Sequence, residues 1–189
     1  DKHWSRGLGD VYKRQLYDGA TSVAEAISVA INKTKRDNVV ISNGFNPNTK
    51  EVVNTLVDKN KFNINYVDLV DYLFPEDYVF SQDDAAFVVS LPHYEGSAQD
   101  LTSIVHNAKA AGVITICYAD PSMLGILKSP GSMGFDIVVA EGQSMGSPLS
   151  FGGPTVGWFA TRKELARLVP GRIIGCLLYT SPSPRDQCL

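Results

Sequence analysis

The sequence predicts an α/β fold built on a mostly parallel sheet that helices cover on both faces. Two observations support this prediction. Short apolar runs typical of buried strands recur along the chain, and between them lie segments whose apolar residues repeat at helical spacing. Strands that alternate with helices in this way need crossover connections, and these join parallel strands.

The first half of the chain shows this alternation clearly. Thr21 or Ser22 is expected to cap a helix whose apolar residues continue to residue 31. Pro47 is expected to open a second helix, and residues 71–84 to form a surface excursion. Strands are predicted at residues 38–42, 62–69 and 86–90.

The second half continues the same pattern. Ser97 is expected to cap a helix that Gly112 ends. A short segment is predicted at residues 122–127, and residues 162–168 are expected to be helical. Strands are predicted at residues 113–118, 136–140 and 156–161.

The run of residues 142–154 is polar, rich in glycine and closed by Gly-Gly-Pro. It follows an apolar strand, and ligands in α/β sheets bind at the carboxyl ends of strands. The run is therefore predicted to form the wall of a site. It has no lysine, histidine or cysteine, and the only carboxylate, Glu141, stands at its edge. Chemistry at this wall therefore needs groups from elsewhere.

Both ends of the chain, residues 1–15 and 176–189, are interpreted as adaptor-derived and not native. DNA that encodes residues 5–15 also encodes residues 176–185 when its reverse complement is read one base further in. This inverted pair resembles the transposon-end adaptor of sequencing libraries. Residues 16–175 are therefore taken as the native part. A basic targeting segment is disfavoured because no apolar stretch follows it.

Composition narrows the function classes. The chain carries 17 Lys and Arg against 20 Asp and Glu, and removing the five basic and three acidic residues of the two ends leaves 12 against 17. This net charge of −5 disfavours nucleic acid or an anionic membrane as a partner. No apolar run is long enough to span a bilayer. Cys117 lies in a strand pattern and is expected to be a core residue, so neither a disulfide nor a metal site is expected. These features predict a cytoplasmic location.

Four features are suited to chemistry, and each has a structural alternative. Residues 17–21 stand at a helix start that could hold an anion, although an ordinary helix cap is the simpler interpretation. Asp120 ends a strand and either pairs with a cationic ring or caps the next turn. His93 suits acid–base work, but a single loop histidine is more often just solvated. The pair Gly152 and Gly153 lets the backbone pass close to a ligand or to another strand.

Several segments together resemble one family, the P-protein of the glycine cleavage system, which is glycine dehydrogenase (decarboxylating). The resemblance covers essentially all of residues 16–175. The Gly-Gln-Ser sequence at residues 142–144 is similar to the first subunit of the two-subunit bacterial enzyme. The segments are Leu-Tyr-Asp-Gly-Ala-Thr at 16–21, Ala-Gly at 111–112, Glu-Gly-Gln-Ser at 141–144, Pro-Leu-Ser-Phe-Gly-Gly-Pro at 148–154, Phe-Ala-Thr-Arg-Lys-Glu at 159–164 and Pro-Gly-Arg at 170–172.

This resemblance implies that residues 16–175 are part of the large domain of a three-layer, type I pyridoxal-phosphate fold. It also implies a reaction in which glycine loses its carboxylate as CO₂ and its aminomethyl group passes to the lipoyl arm of the H-protein. In this family a lysine holds pyridoxal phosphate as a Schiff base, and Gln143 falls at that position. An amide cannot form this link, and Lys128, the nearest lysine upstream, has the wrong spacing. A second P-protein subunit is therefore expected to carry the lysine and hold the cofactor.

No catalytic residue, cofactor-binding residue or metal ligand is thus expected in this chain. Two loops are instead candidates for a wall that faces the site on the partner subunit. Asp120 corresponds to the carboxylate that meets the cofactor ring nitrogen in the family, and its role without a bound ring is open. The candidate wall residues are Tyr17, Asp18, Thr21, Asp120, Gln143, Ser144, Gly152 and Gly153.

Two other functions stay open. A self-sufficient pyridoxal-phosphate enzyme, related to aminotransferases or desulfurases, would need a Schiff-base lysine in this region, and Gln143 argues against it. A non-catalytic scaffold subunit would keep the fold without the site, which the glycine-rich loop disfavours only weakly.

Overall fold

One mixed sheet dominates the computed structural model, which describes residues 11–58 and 60–170. Within these residues seven strands lie in the spatial order β1-β7-β6-β5-β4-β2-β3. The strands are β1 Val11–Leu16, β2 Asn38–Ser42, β3 Asn63–Val67, β4 Asp84–Leu91, β5 Ile114–Ala119, β6 Ile137–Glu141 and β7 Gly157–Arg162. The helices are α1 Gly19–Thr34, α2 Pro47–Leu56, α3 Thr102–Ala110 and α4 Pro130–Met133.

Five neighbouring strands are parallel to one another, in the spatial order β6-β5-β4-β2-β3. At one side of the sheet, β7 pairs antiparallel with both β6 and β1. The predicted mostly parallel sheet is thus confirmed, and each of the six predicted strands is present. Because β1 and β6 both run opposite to β7, β1 is parallel to β6. The carboxyl end of β1 therefore lies at the same edge of the sheet as the carboxyl ends of β2 to β6.

Alternating side chains of the central strands build a core on each face of the sheet. Ile41 and Ile116 point to the face covered by α1 and α2, where they pack in one cluster with Ile27. Val40 and Cys117 point to the opposite face and pack with α3. Helices on both faces of the sheet give the predicted three layers.

The segment between β3 and β4 has little regular structure, but the prediction that it is only a surface excursion is wrong. Phe74 and Phe80 are buried, and their ring centroids lie 4.8 and 5.1 Å from the ring of Phe87 on β4. Aromatic rings at these distances pack favourably. The segment therefore closes the core beside α3.

The predicted helix caps also need correction. Asp18, and not Thr21 or Ser22, caps α1, since its carboxylate accepts a hydrogen bond from the Thr21 backbone N–H at 2.6 Å. Ser97 does not cap α3, which begins only at Thr102 and has no side-chain cap on Leu101. The helix predicted at residues 162–168 is present only as a single 3₁₀ turn, Lys163–Leu165.

Strand β1 lies almost entirely within residues 1–15, which are interpreted as adaptor-derived. It pairs with β7 along its whole length, with Arg14 opposite Phe159. Backbone pairing of this kind depends little on side-chain identity, so it does not bear on the origin of the segment. The interpretation of both ends stays a prediction, and residues 1–10 and 171–189 lie outside the described residues. None of the helices in the described part is long and apolar enough to cross a bilayer.

Candidate functional site

The carboxyl edge of the sheet brings three predicted segments together. Asp120 follows β5, Glu141 ends β6, and α1 begins just after β1 at the same edge. The amino end of β7 returns there too, and the backbone at Gly157 passes close to Asp18: a Cβ on Gly157 would lie only 2.2 Å from the Asp18 carbonyl oxygen. This packing places the start of α1 against the beginning of β7.

A cleft of about 450 Å³ opens at this edge, between the ends of β5 and β6. Three of the predicted wall residues line it. Within the part of the chain that the structure describes, its lining contains two carboxylates, no basic side chain and no thiol. The lining residues are Tyr118, Ala119, Asp120, Glu141, Gln143, Ser144, Ser147 and Leu149.

Asp120 caps the turn that follows it. One of its oxygens accepts hydrogen bonds from the backbone N–H and the hydroxyl of Ser122, at 2.9 and 2.8 Å. The same oxygen accepts a longer bond, 3.3 Å, from the hydroxyl of Ser144. The structure shows Asp120 as a cap and adds a link between the β5 end and the glycine-rich loop, while its pairing with a cationic ring stays a prediction.

Glu141 joins three separate segments of the site. Its Oε2 accepts a hydrogen bond from the Gly19 backbone N–H at 2.8 Å. Its Oε1 accepts two more, from the backbone N–H groups of Gln143 and Val156, each at 3.0 Å. One carboxylate thus joins the start of α1, the beginning of the glycine-rich loop and the residue before β7.

The start of α1 already has anionic partners from its own chain. The Gly19 N–H donates to Glu141, and the Thr21 N–H donates to Asp18. Thr21 also completes a capping box with Asp18. The side chain of Tyr17 is 87% exposed, and its carbonyl accepts a hydrogen bond from the Thr155 hydroxyl at 2.9 Å. The structure therefore shows an ordinary cap at the position where an anion site was the alternative.

Tyr118, on β5, is the aromatic residue of the cleft. Burial raises the pKa of Tyr118 to about 12, and the nearby carboxylates of Glu141, Asp120 and Asp18 raise it as well. The phenol is therefore neutral at physiological pH. A Cβ on Gly19 would lie 2.8 Å from the Tyr118 ring, which explains why the first residue of α1 has no side chain.

The glycine-rich loop, residues 143–154, contains two short 3₁₀ turns, Gln143–Met145 and Ser150–Gly152. Its second half has positive φ at four consecutive residues, from Ser150 to Gly153. A Cβ on Gly153 would lie 2.3 Å from the carbonyl oxygen of Pro148, so this close approach is to the loop's own backbone. Gly152 and Gly153 do not line the cleft, and they shape the loop that does.

Exposed apolar side chains crowd this loop. Leu149 and Phe151 extend into solvent, and Met145 is also more than half exposed. Grouped exposed apolar side chains often mark interaction sites. The loop therefore presents three large apolar side chains to solvent at the carboxyl edge of the sheet.

His93 is not solvated, contrary to the prediction. It is only 2% exposed, and neither ring nitrogen has a hydrogen-bond partner within residues 11–58 and 60–170. Burial lowers the pKa of the imidazole, although the charge of Glu95 partly opposes this shift. Gly44 packs directly on the ring, since a Cβ there would lie 2.6 Å from Nδ1. His93 is therefore a neutral core residue.

The residues present do not fit covalent attachment of pyridoxal phosphate. Gln143, at the position that the resemblance assigns to the Schiff-base lysine, presents an amide to the cleft. The amine of Lys128 lies before α4, where it contacts Asp100 at 3.3 Å and the Thr102 hydroxyl at 2.9 Å. Among residues 11–58 and 60–170, no lysine or other amine lines the cleft.

Sequence reasoning missed the roles of two site residues, Glu141 and Tyr118. The sequence identifies Glu141 only as the carboxylate at the edge of the loop. Its position after a buried strand and before a glycine was a signal, because a carboxylate there can reach loop N–H groups. Nothing in the local sequence shows that the start of α1, 122 residues away, supplies the third donor.

A mostly parallel sheet between two helical layers, with a glycine-rich loop at its carboxyl edge, is the large-domain architecture of type I pyridoxal-phosphate enzymes. The structure of a cystathionine gamma-lyase (CalE6) from Micromonospora echinospora shares this fold, with a TM-score of 0.64 and 16% identity over 82% of this chain and 40% of that one.

Within this class of enzymes, the chain can be assigned to one family. The model of the glycine cleavage system P-protein family matches residues 7–179, and the chain belongs to that family. An inhibitor-bound glycine decarboxylase (P-protein) of the glycine cleavage system superposes with a TM-score of 0.80 and 32% identity, over 91% of this chain and 43% of that one.

Two bacterial relatives carry the name "Probable glycine dehydrogenase (decarboxylating) subunit 1". The protein of Geotalea uraniireducens is 41% identical over 169 residues, and that of Staphylococcus haemolyticus is 41% identical over 170 residues. Each match covers 88% of this chain, and the chain spans 38% of the length of each relative.

Proposed function

We propose that the parent of this chain is the subunit of glycine dehydrogenase (decarboxylating) that does not bear the Schiff-base lysine. In this proposal a second P-protein subunit holds pyridoxal phosphate, glycine is the substrate, and the lipoyl H-protein accepts the aminomethyl group. When bound there, the cofactor supplies an electron sink for loss of CO₂. The cytoplasmic location predicted from composition belongs to the same proposal.

The observation that carries this division of labour is the lining of the cleft. Its described residues provide carboxylates, hydroxyls and one amide at the carboxyl edge of the sheet, but no amine that could tether the cofactor. The start of α1, where a phosphate could otherwise bind, is occupied by Asp18 and Glu141. The cleft thus lacks both an amine for the Schiff base and a helix start that is free to bind the phosphate.

The exposed loop supports a role beside the partner's site. The loop of residues 143–154 presents Leu149 and Phe151 outward from the same edge as the cleft. We assign this loop and residues 17–21 to the wall that faces the partner subunit. Ser144 and Gln143 are the polar side chains of that wall within the cleft.

Reconstitution tests the proposal directly. The full-length parent is combined with its second subunit and assayed for glycine–bicarbonate exchange, with each subunit alone as the control. Exchange is expected only from the pair. Exchange by the parent alone, with a cofactor absorbance band, would refute the proposal.

Borohydride reduction followed by peptide mapping separates this proposal from a self-sufficient enzyme. The reduced cofactor is expected on a lysine of the partner and absent from Lys128. Label on any lysine of the parent would favour the self-sufficient enzyme.

Bulky substitutions separate it from a scaffold. Ser144→Trp is expected to abolish turnover of the assembled pair, because Ser144 lines the cleft and bonds Asp120. Ser132→Trp, at an exposed position of α4, is the matched control and should leave turnover intact. If the Ser144 variant assembles with full turnover, the scaffold function is favoured.

A further inference from the structure

Glu141 connects three parts of the chain that are far apart in sequence. Its two oxygens accept backbone N–H bonds from Gly19, Gln143 and Val156 at 2.8, 3.0 and 3.0 Å. Gly19 begins α1, Gln143 begins the glycine-rich loop, and Val156 lies next to β7 at the loop's other end. A single side chain therefore fixes both ends of the loop relative to α1.

The surroundings of Glu141 leave it little freedom. A Cβ on Gly19 would lie 2.9 Å from the Glu141 Cβ, so the helix start packs directly on this side chain. On the other side, a Cβ on Gly142 would lie 2.5 Å from the Trp158 ring nitrogen. Small residues on both sides let the carboxylate reach all three donors. A charged acceptor makes stronger bonds to N–H groups than a neutral one.

These bonds also use the donors that would otherwise stay unpaired. The first N–H groups of a helix have no partner within the helix, and loop N–H groups lack a strand partner. The Gly142 N–H pairs with the Val156 carbonyl at 2.7 Å, so backbone bonding closes the base of the loop as well. This backbone pair makes no link to α1, and the Glu141 carboxylate adds that link.

We propose that Glu141 is a positioning residue for the glycine dehydrogenase reaction. It holds the loop of residues 143–154 and the start of α1 in one arrangement, and this arrangement presents Gln143 and Ser144 to the site on the partner subunit. The inference rests on the proposed function, since the loop matters for the reaction only if it lines that site. Glu141 acts through the loop and not by contact with the reacting atoms.

The test uses the full-length parent reconstituted with its second subunit, with turnover expressed per assembled complex. Glu141→Gln keeps the shape of the side chain but places an NH₂ against at least one N–H donor. Glu141→Ala removes all three bonds. Glu51→Gln, on the exposed face of α2, is the matched carboxylate-to-amide control.

The expected result is a fall in kcat for glycine–bicarbonate exchange of about tenfold for Glu141→Gln, since small misplacements in a site cost one to two orders of magnitude. KM for glycine and the cofactor absorbance of the partner should change less than twofold. Amide hydrogen exchange should speed up about tenfold or more at residues 143–156 and 19–22, and stay unchanged in β4. The Glu51→Gln control should match the wild type in every measurement.

Two outcomes would overturn the inference. One is full kcat per assembled complex in Glu141→Gln together with faster hydrogen exchange, which would show that the carboxylate matters for stability only. The other is unchanged hydrogen exchange in the loop. If Glu141→Ala does not fold, the isosteric variant decides alone. Failure of the wild-type pair to catalyse exchange would instead refute the proposed function.

Discussion

Replacing Gly153 with alanine tests the path of the glycine-rich loop. Gly153 has φ +51° and ψ 178°, a combination that residues with a side chain almost never adopt. A Cβ there would also lie 2.3 and 2.5 Å from the carbonyl oxygens of Pro148 and Leu149. The loop must therefore change its path to accept even a methyl group.

Two further glycines separate the dihedral cost from the steric cost. Gly152 has φ +117° but open space around its Cβ position, so Gly152→Ala carries dihedral strain alone, about 1–3 kcal/mol. Gly131 has open space and no positive φ, and lies in α4, so Gly131→Ala should be neutral or stabilising by up to about 1 kcal/mol. Gly153→Ala should cost more than Gly152→Ala, because backbone overlap adds to the strain.

Urea unfolding of the full-length parent measures the three free energies, and glycine–bicarbonate exchange of the reconstituted pair measures the effect on the loop. Exposed loops can relieve strain by moving, so Gly153→Ala should lose more activity than its stability loss explains. The order of stability should be Gly131→Ala, then Gly152→Ala, then Gly153→Ala. A Gly153→Ala variant as stable and as active as Gly131→Ala would refute the loop path described above.

Four other experiments test the site and the core. Asp18→Ala should destabilise the parent by about 1 kcal/mol in urea unfolding through loss of the α1 cap, and no loss would contradict the capping box. Asp120→Asn should keep stability and Asp120→Ala lose about 1 kcal/mol, since asparagine also caps; equal losses would argue against the cap. Burial lowers the pKa of His93 below its ordinary 6.5, so the unfolded chain binds the extra proton. The unfolding free energy should therefore be constant above pH 6.5 and decrease as the pH falls below 6.5, by at most about 1.4 kcal/mol per pH unit. The variant His93→Gln should lose this slope, and the control variant His106→Gln should keep it. Burial raises the pKa of the Cys117 thiol, so iodoacetamide should label it only after unfolding. Rapid labelling of the native protein would show that Cys117 is not buried.

Local patterns were enough to predict most of the sheet. The strand at residues 38–42 was predicted with the bounds that β2 has, because three consecutive β-branched residues between polar neighbours have few other uses. Pro47 gave the start of α2 correctly, since its fixed φ suits the first helical position. Periodicity predicted the α/β class, and the family resemblance then supplied the narrower fold, the large domain of type I pyridoxal-phosphate enzymes.

Long-range contacts set what the sequence could not predict. His93 looked like a solvated loop residue because its burial depends on Gly44, 49 positions earlier, packing on the ring. Phe74 and Phe80 looked like part of a surface excursion because their partner, Phe87, belongs to a later strand. Tertiary contacts determine the burial of each of these residues, and residue spacing within one segment does not predict such contacts.

Gln143 at the lysine position and the carboxylates at the start of α1 have the same consequence, because both disfavour binding of pyridoxal phosphate. An anionic ligand at the start of α1 would meet the carboxylates of Glu141 and Asp18, which already use the Gly19 and Thr21 N–H groups. Like charges at such distances disfavour binding, so an amine at position 143 alone would not restore a phosphate site. The bonds that exclude an anion are also the bonds that fix the loop, because Glu141 makes both. A carboxylate at this position therefore fits the proposed function, in which this chain shapes a site on the partner subunit and the partner holds the cofactor.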